Sequence, residues 1–215
     1  MLMEAIREEL IEYGKLLVDT ELTSGTGGNL SYLDREKGYM AVTPSGIDFY
    51  KTKPEDIVIM KLDGSIVEGK RMPSSEWVMH KKIYETRKDI NAVIHGHTIY
   101  ASVLAVLREE LPATHYMIAV AGPTVRVADY ACFGSPELAE NAAKGMVDRN
   151  AVLLANHGLI GGSNNLRNAF NVIEEVEYCA KIHVIAKSIG NPVVLPSEEM
   201  AIMNEKFKSY GQPIE

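Results

Sequence analysis

Apolar positions recur along this chain with two periods, and their alternation sketches the elements. Between Leu2 and about Thr20, Ile6, Leu10, Ile11, Leu16 and Leu17 fall at helical spacings and predict an amphipathic helix. The glycine-rich loop Thr23–Asn29 ends it. Leu30 to Leu33 and Tyr39 to Thr43 alternate as a hairpin would around Asp34–Gly38, and the turn Thr43-Pro44-Ser45-Gly46 follows. A second hairpin is predicted for Ile57 to Leu62 and Ile66 to Glu68, around Asp63-Gly64. Ser74-Ser75-Glu76 precedes a helix from Trp77 to about Arg87. The apolar run Asn91–Ile94 predicts a buried strand ending at His95, with a helix after it from about Thr98 to Leu107. His115 to Val120 and Val125 to Ala128 read as strands, and Glu137 to about Met146 as a helix. Ala151–Ala155 reads as a second buried strand, ending at His157. A long helix from Leu166 to about Ile189 and a last one from Ser197 to about Tyr210, stopping at Gly211, complete the pattern. No repeat, low-complexity stretch or linker interrupts it, so residues 1–215 read as a single domain. Strands and helices mix, and the early hairpins are antiparallel. The expected class is α/β (α+β), with a central, mainly antiparallel sheet covered by helices on both sides.

Chemistry enters at the ends of the two buried strands. Residues two apart on a strand share a face, so His95 and His97 aim at one point, with Gly96 leaving room for close approach. Asn156-His157-Gly158 closes the other strand in a matching context. Three imidazoles with an open fourth position are the catalytic form of a zinc site; chance placement of histidines at strand ends is the plainer reading.

Composition narrows the partners. The formal net charge is −7 with no basic stripe, which argues against nucleic acid and anionic membrane surfaces as partners. No apolar run reaches the roughly 18 residues of a membrane span. The acidic, helical N-terminus lacks the pattern of a signal peptide. Cys132 and Cys179, far apart in the chain, fit two reduced thiols in a cytoplasmic protein.

Three small polar turns could cradle an anion: Gly25–Asn29, Thr43–Gly46 and Pro73–Glu76. Each alone is explained by turn chemistry, and Ser74 with Glu76 by helix capping. Together they suggest a phosphate site beside the histidines. A divalent ion there could polarise a carbonyl, with Glu76 as the carboxylate that removes the proton alpha to it. His80 lies four residues after Glu76 on one helix face. His80, His115 and His183 compete as ligands, although His80 and His183, within helices, fit core or surface roles better.

Thr26-Gly27-Gly28-Asn29-Leu30-Ser31, Thr43-Pro44-Ser45-Gly46, Pro73-Ser74-Ser75-Glu76, His95-Gly96-His97 and Asn156-His157-Gly158-Leu159 resemble, in order and spacing, the class II aldolase/adducin family. The resemblance runs from about residue 4 to the C-terminus. It implies a three-layer domain and a zinc ion, one per subunit, on His95, His97 and His157. Glu76 would approach the metal in the absence of substrate and then act as general acid/base. Thr26, Gly28, Asn29, Ser45, Gly46, Ser74 and Ser75 would form the phosphate pocket of a phosphorylated ketose. Tyr116 would serve as proton donor at the aldehyde oxygen, from a neighbouring subunit of a homotetramer. Tyr210 with the tail would close over the aldehyde side, where Phe133 packs. Two segments, Pro112–Ala119 and Lys206–Gly211, are most similar to members that cleave L-fuculose 1-phosphate to dihydroxyacetone phosphate and L-lactaldehyde, in L-fucose catabolism. Other sugar-phosphate aldolases and L-ribulose-5-phosphate 4-epimerase share the same site. The family also includes non-catalytic cytoskeletal binding domains that have lost the metal residues, all of which stand here.

Overall fold

The computed structural model of the chain describes residues 1–208; Tyr210 lies outside the described residues. The elements, in order, are α1 (Glu4–Asp19), β1 (Asn29–Asp34), β2 (Tyr39–Val42), β3 (Val58–Met60), β4 (Ile66–Glu68), α2 (Trp77–Thr86) and β5 (Ala92–Gly96). They continue with α3 (Ile99–Leu107), β6 (Val127–Ala128), α4 (Pro136–Gly145), β7 (Ala151–Leu154), β8 (Gly158–Ser163), α5 (Leu166–Ile189) and α6 (Ser197–Lys208). The strands form one eight-stranded sheet in the order β4-β3-β2-β1-β5-β8-β7-β6. Every neighbouring pair is antiparallel except β6 with β7.

The two-residue period of the strands builds two cores, one on each face of the sheet. Ile57, Ile59, Ala92, Ile94, Ala151 and Leu153 point to the layer made by α1, α3, α5 and α6. Val58, Met60, Val93, Val152, Leu154 and Ile160 point the other way, to α2 and α4. The expected three-layer arrangement, with helices on both sides of a mainly antiparallel sheet, is therefore present. Local signals start two of the helices. Ser135 caps α4, accepting from the Leu138 N–H with Pro136 in the first turn, and Asn165 caps α5, accepting from the Asn168 N–H.

Three expectations need correction. His115 to Val120 is no strand: Tyr116–Val120 is a 3-10 helix with His115 at its N-cap. Ile118 N–H donates to the His115 carbonyl and Ala121 N–H to that of Ile118. The apolar run is buried by packing against α5 and α6, not by pairing with a strand. From Val125 to Ala128 only Val127–Ala128 is strand, with an isolated bridge between Leu111 and Val125. Finally, β8 was not expected at all. Its sequence Gly-Leu-Ile-Gly-Gly-Ser is poor in strand formers, yet it lies between β5 and β7. His157 consequently sits in the tight β7–β8 turn and not at the end of a strand.

The glycines of β8 have a steric reason. A Cβ on Gly158 would lie 2.5 Å from the Gly96 carbonyl oxygen, at the seam where β8 meets β5. Gly158→Ala should cost about 1–3 kcal/mol of stability through overpacking. A urea denaturation midpoint equal to that of the wild type would show that the seam can open freely.

Candidate active site

The α2-facing side of β1 and β5 carries polar residues where the sheet approaches the N-terminus of α2. On β5, His95 continues the row of Val93 and is fully buried. His97 lies just past the strand end, and His157 comes across from the β7–β8 turn. Ring centroids are 4.8 Å apart for His95 and His97, 4.7 Å for His95 and His157, and 5.2 Å for His97 and His157. One ring nitrogen from each lies within 4.8 Å of the others. The expected three-histidine cluster is thus assembled.

Hydrogen bonding selects the free nitrogen of His95. Its Nδ1–H donates to the Leu159 carbonyl at 2.9 Å, which leaves Nε2 without a proton and facing the cluster. Burial pushes the His95 imidazolium well down, and the neighbouring His157 and His97 push it further. His97 is lowered too, by burial first and by His157 second. Glu76 enters from the N-cap of α2, 6% exposed. Its Oε2 is 3.4 Å from His95 Nε2, and its Oε1 is 3.5 Å from His157 Nε2. With His95 neutral, the first contact sets one lone pair against another and is no salt bridge. His95 Nε2 and Glu76 Oε1 are buried with no hydrogen-bond partner. Two unpaired buried acceptors at one point fit a bound cation, and His95, His97, His157 and Glu76 are the residues that could hold one.

The three polar turns adjoin this cluster. Thr43 N–H donates to the Leu30 carbonyl, and the Thr43 hydroxyl accepts from the Leu30 N–H. Pro44 bridges Pro73, Ser45 N–H donates to the Met72 carbonyl, and Ser74 N–H to that of Thr43. Gly28 has φ +77°, and a Cβ there would lie 2.8 Å from the His95 carbonyl oxygen, so the first turn can close on the strand only as glycine. Thr26, Ser45, Gly46 and Ser75 are exposed. Ser74 is buried and accepts from the Glu76 N–H at 3.3 Å. Asn29 is turned inward, its Nδ2 donating to Glu76 Oε2 at 2.9 Å and its Oδ1 lying 2.6 Å from His80 Nε2.

Phe133, Tyr130, Ala131 and Asn156 line a cleft of about 330 Å³ that opens onto Glu76, His97 and His157. Larger surface clefts, along α1 and around Lys53, gather no comparable chemistry. Asn156 takes a left-handed backbone, φ 52°, tolerated by asparagine, and its side chain accepts from Arg108. Tyr116 is not brought to this chain's cluster. Its exposed ring stacks against Phe207 at 6.4 Å and tilts over His115 at 4.9 Å. His183 faces Glu109 and Thr114, remote from the cluster. Sequence reasoning missed Tyr130, which carries no local signal, and the contact between His80 and Asn29. For His80 a signal existed, its spacing of four from Glu76.

A mainly antiparallel sheet here gathers three imidazoles and a carboxylate into one candidate metal site, with His95 and Glu76 buried at its base. The chain matches the family described as Class II Aldolase and Adducin N-terminal domain over residues 8–184. It is 54% identical to the 5-deoxy-D-ribulose 1-phosphate aldolase of Bacillus thuringiensis serovar kurstaki over 212 residues, 99% of this chain and 100% of that protein. It is 42% identical to the L-fuculose phosphate aldolase of Escherichia coli K12 over 196 residues, 90% of each chain. A solved L-fuculose 1-phosphate aldolase superposes with a TM-score of 0.95 at 64% identity, covering 97% of this chain and 98% of that one. The chain belongs to the class II aldolase family, and it is an enzyme of that class. Among the described residues no helix is long and apolar enough to cross a membrane, and Cys132 and Cys179 are both free.

The buried imidazoles make stability depend on pH. His95 and His80 are held neutral by burial, His80 lowered to about 3, whereas unfolded histidine titrates near 6.5. Below that pH the unfolded chain binds more protons, so stability present above it is lost as pH falls. Metal-stripped protein should lose up to about 1.4 kcal/mol per pH unit for each of the two groups below about pH 6. Urea midpoints that do not move between pH 7 and pH 5 would contradict this.

Proposed function

We propose that this chain catalyses the reversible aldol cleavage of a 1-phosphorylated deoxyketose between C3 and C4, giving dihydroxyacetone phosphate and a short aldehyde. The supporting observation is the juxtaposition of the His95, His97, His157 and Glu76 cluster, in which the buried His95 Nε2 and Glu76 Oε1 are unpaired, with three hydroxyl-rich turns. Zinc bound by the three histidines would polarise the C2 carbonyl and stabilise the enediolate that forms when the bond breaks. Thr26, Gly28, Asn29, Ser45, Gly46, Ser74 and Ser75 would anchor the phosphate, through hydroxyls, amides and backbone N–H groups. As the C3–C4 bond breaks, a base at the aldehyde side takes the C4 hydroxyl proton and the aldehyde leaves. Glu76 then gives a proton to C3, completing dihydroxyacetone phosphate; in condensation it takes the same proton away. Tyr116 would exchange the proton of the aldehyde oxygen. Its exposed position, apart from this chain's own Glu76, suits service to the site of a neighbouring subunit in a homotetramer. Phe133 would face the departing aldehyde, with Tyr210 and the tail over it.

L-Fuculose 1-phosphate, yielding L-lactaldehyde, is the first reading of the substrate. It draws on the likeness at 64% identity to the solved L-fuculose 1-phosphate aldolase. A second reading, 5-deoxyribulose 1-phosphate, draws on the 54% identity across the full length of a protein named for that activity. The two substrates share the phosphorylated half and differ in the aldehyde, acetaldehyde for the second.

Dihydroxyacetone phosphate release should be followed from both compounds and from L-rhamnulose 1-phosphate, and epimerisation from L-ribulose 5-phosphate, with and without chelator. Chelator-sensitive release that is fastest from L-fuculose 1-phosphate supports the first reading, and fastest release from 5-deoxyribulose 1-phosphate supports the second. Release that survives complete metal removal would end the zinc proposal. Glu76→Gln should retain metal and lose about 10²- to 10⁴-fold in turnover, the usual size of a general acid/base contribution. Undiminished turnover would remove Glu76 from the mechanism.

A further inference from the structure

We propose that His80 is a positioning residue for Glu76, acting through Asn29 as the centre of a buried hydrogen-bond chain Tyr84–Ser31–His80–Asn29–Glu76. The inference rests on the reading of Glu76 as the acid/base. Two polar rows meet here. Glu76, His80 and Tyr84 are spaced by four and share one face of α2 and its N-cap. Asn29 and Ser31 are spaced by two and share one face of β1. The rows interlock at hydrogen-bond distance throughout: Tyr84 Oη to Ser31 Oγ 2.7 Å, Ser31 Oγ to His80 Nδ1 2.7 Å, His80 Nε2 to Asn29 Oδ1 2.6 Å, and Asn29 Nδ2 to Glu76 Oε2 2.9 Å. Ser31, His80 and Tyr84 are fully buried, and Asn29 and Glu76 are 5% and 6% exposed.

The chain has one consistent direction. The Asn29 amide nitrogen faces Glu76 and donates to its Oε2. That turns Asn29 Oδ1 to His80, and Oδ1 can only accept, so the His80 proton sits on Nε2. His80 is neutral in this pocket, which leaves Nδ1 bare to accept from the Ser31 hydroxyl. Ser31 Oγ in turn accepts from Tyr84. Rotating the Asn29 amide by half a turn would set its oxygen against the carboxylate and its NH2 against the Nε2–H. Both contacts would repel. His80 therefore locks the amide, and the amide holds Oε2 of Glu76 while Oε1, unpaired, faces His157. Packing alone does not call for five polar side chains in this layer, since apolar ones would avoid their desolvation. Their common output is the orientation of one carboxylate.

The test pairs kinetics with a measurement independent of turnover. In zinc-loaded protein, His80→Phe should lower kcat by about 10- to 100-fold, the usual loss when a buried hydrogen-bond support behind a reacting ligand is removed. KM should stay nearly constant. His80→Gln, which keeps a donor toward Asn29, should recover most of kcat. Equal losses in both variants, or a loss confined to KM, would overturn the proposal. Histidine 15N–1H correlation spectra of the wild type should show His80 neutral with its proton on Nε2. In Ser31→Ala, two hydrogen bonds from Asn29, part of the population should move to Nδ1. A wild-type His80 protonated on Nδ1 overturns the chain whatever the kinetics. Should the wild type cleave no sugar phosphate, the acid/base reading of Glu76 falls, and the tautomer still decides whether the chain exists as drawn.

Discussion

Gathering lone pairs at one buried point is costly, and the arrangement of this protein answers that cost. His95 Nε2 and Glu76 Oε1 are buried with no hydrogen-bond partner. They stay in place because each is held from behind. His95 is fixed by its Nδ1–H on the Leu159 carbonyl, and therefore by the pairing of β5 with β8. Glu76 is fixed by Asn29, and therefore by β1. The site is thus a property of three adjacent central strands, β1, β5 and β8, and of the helix laid across them.

The same economy extends outward. One face of β1 offers Asn29 and Ser31 to α2, then Leu33 to the apolar core beyond. One face of α2 offers Glu76, His80 and Tyr84, with Met79 and Ile83 filling the core beside them. Polar support for the carboxylate and hydrophobic support for the layer are built from the same two elements. The hydroxyl-rich turns arise likewise from strand pairing, since Thr43 and Ser74 are joined by the backbone bonds that join β1, β2 and the approach to α2.

Much of this was legible because it was local. Ala92–Ile94 leading into His-Gly-His announces both a buried strand and a ligand pair within six residues. The helices of α1, α4 and α5 carry their periodicity and, for the last two, their caps. What was hidden depended on partners far along the chain. The Gly-Leu-Ile-Gly-Gly-Ser segment is poor in strand formers, and the crowding at Gly158, Gly161 and Gly162 explains its glycines. The apolar run at Tyr116–Val120 reads as a strand in isolation and becomes a 3-10 helix because α5 and α6 cover it. His80 displayed its spacing to Glu76, but its significance lies in Asn29 and Ser31, about fifty residues earlier.

The sheet order also sets a sequence of events in time. β5 is flanked by β1 and β8, each more than fifty residues away along the chain, and His95 and His97, at its end, face a turn that exists only once β8 has folded back. Loop closure over such distances comes late relative to local helices and hairpins. A polypeptide leaving the ribosome would therefore carry His95 and His97 for some time without His157. A cation held by all three histidines would thus report that synthesis has passed residue 163 and that the central strands are joined.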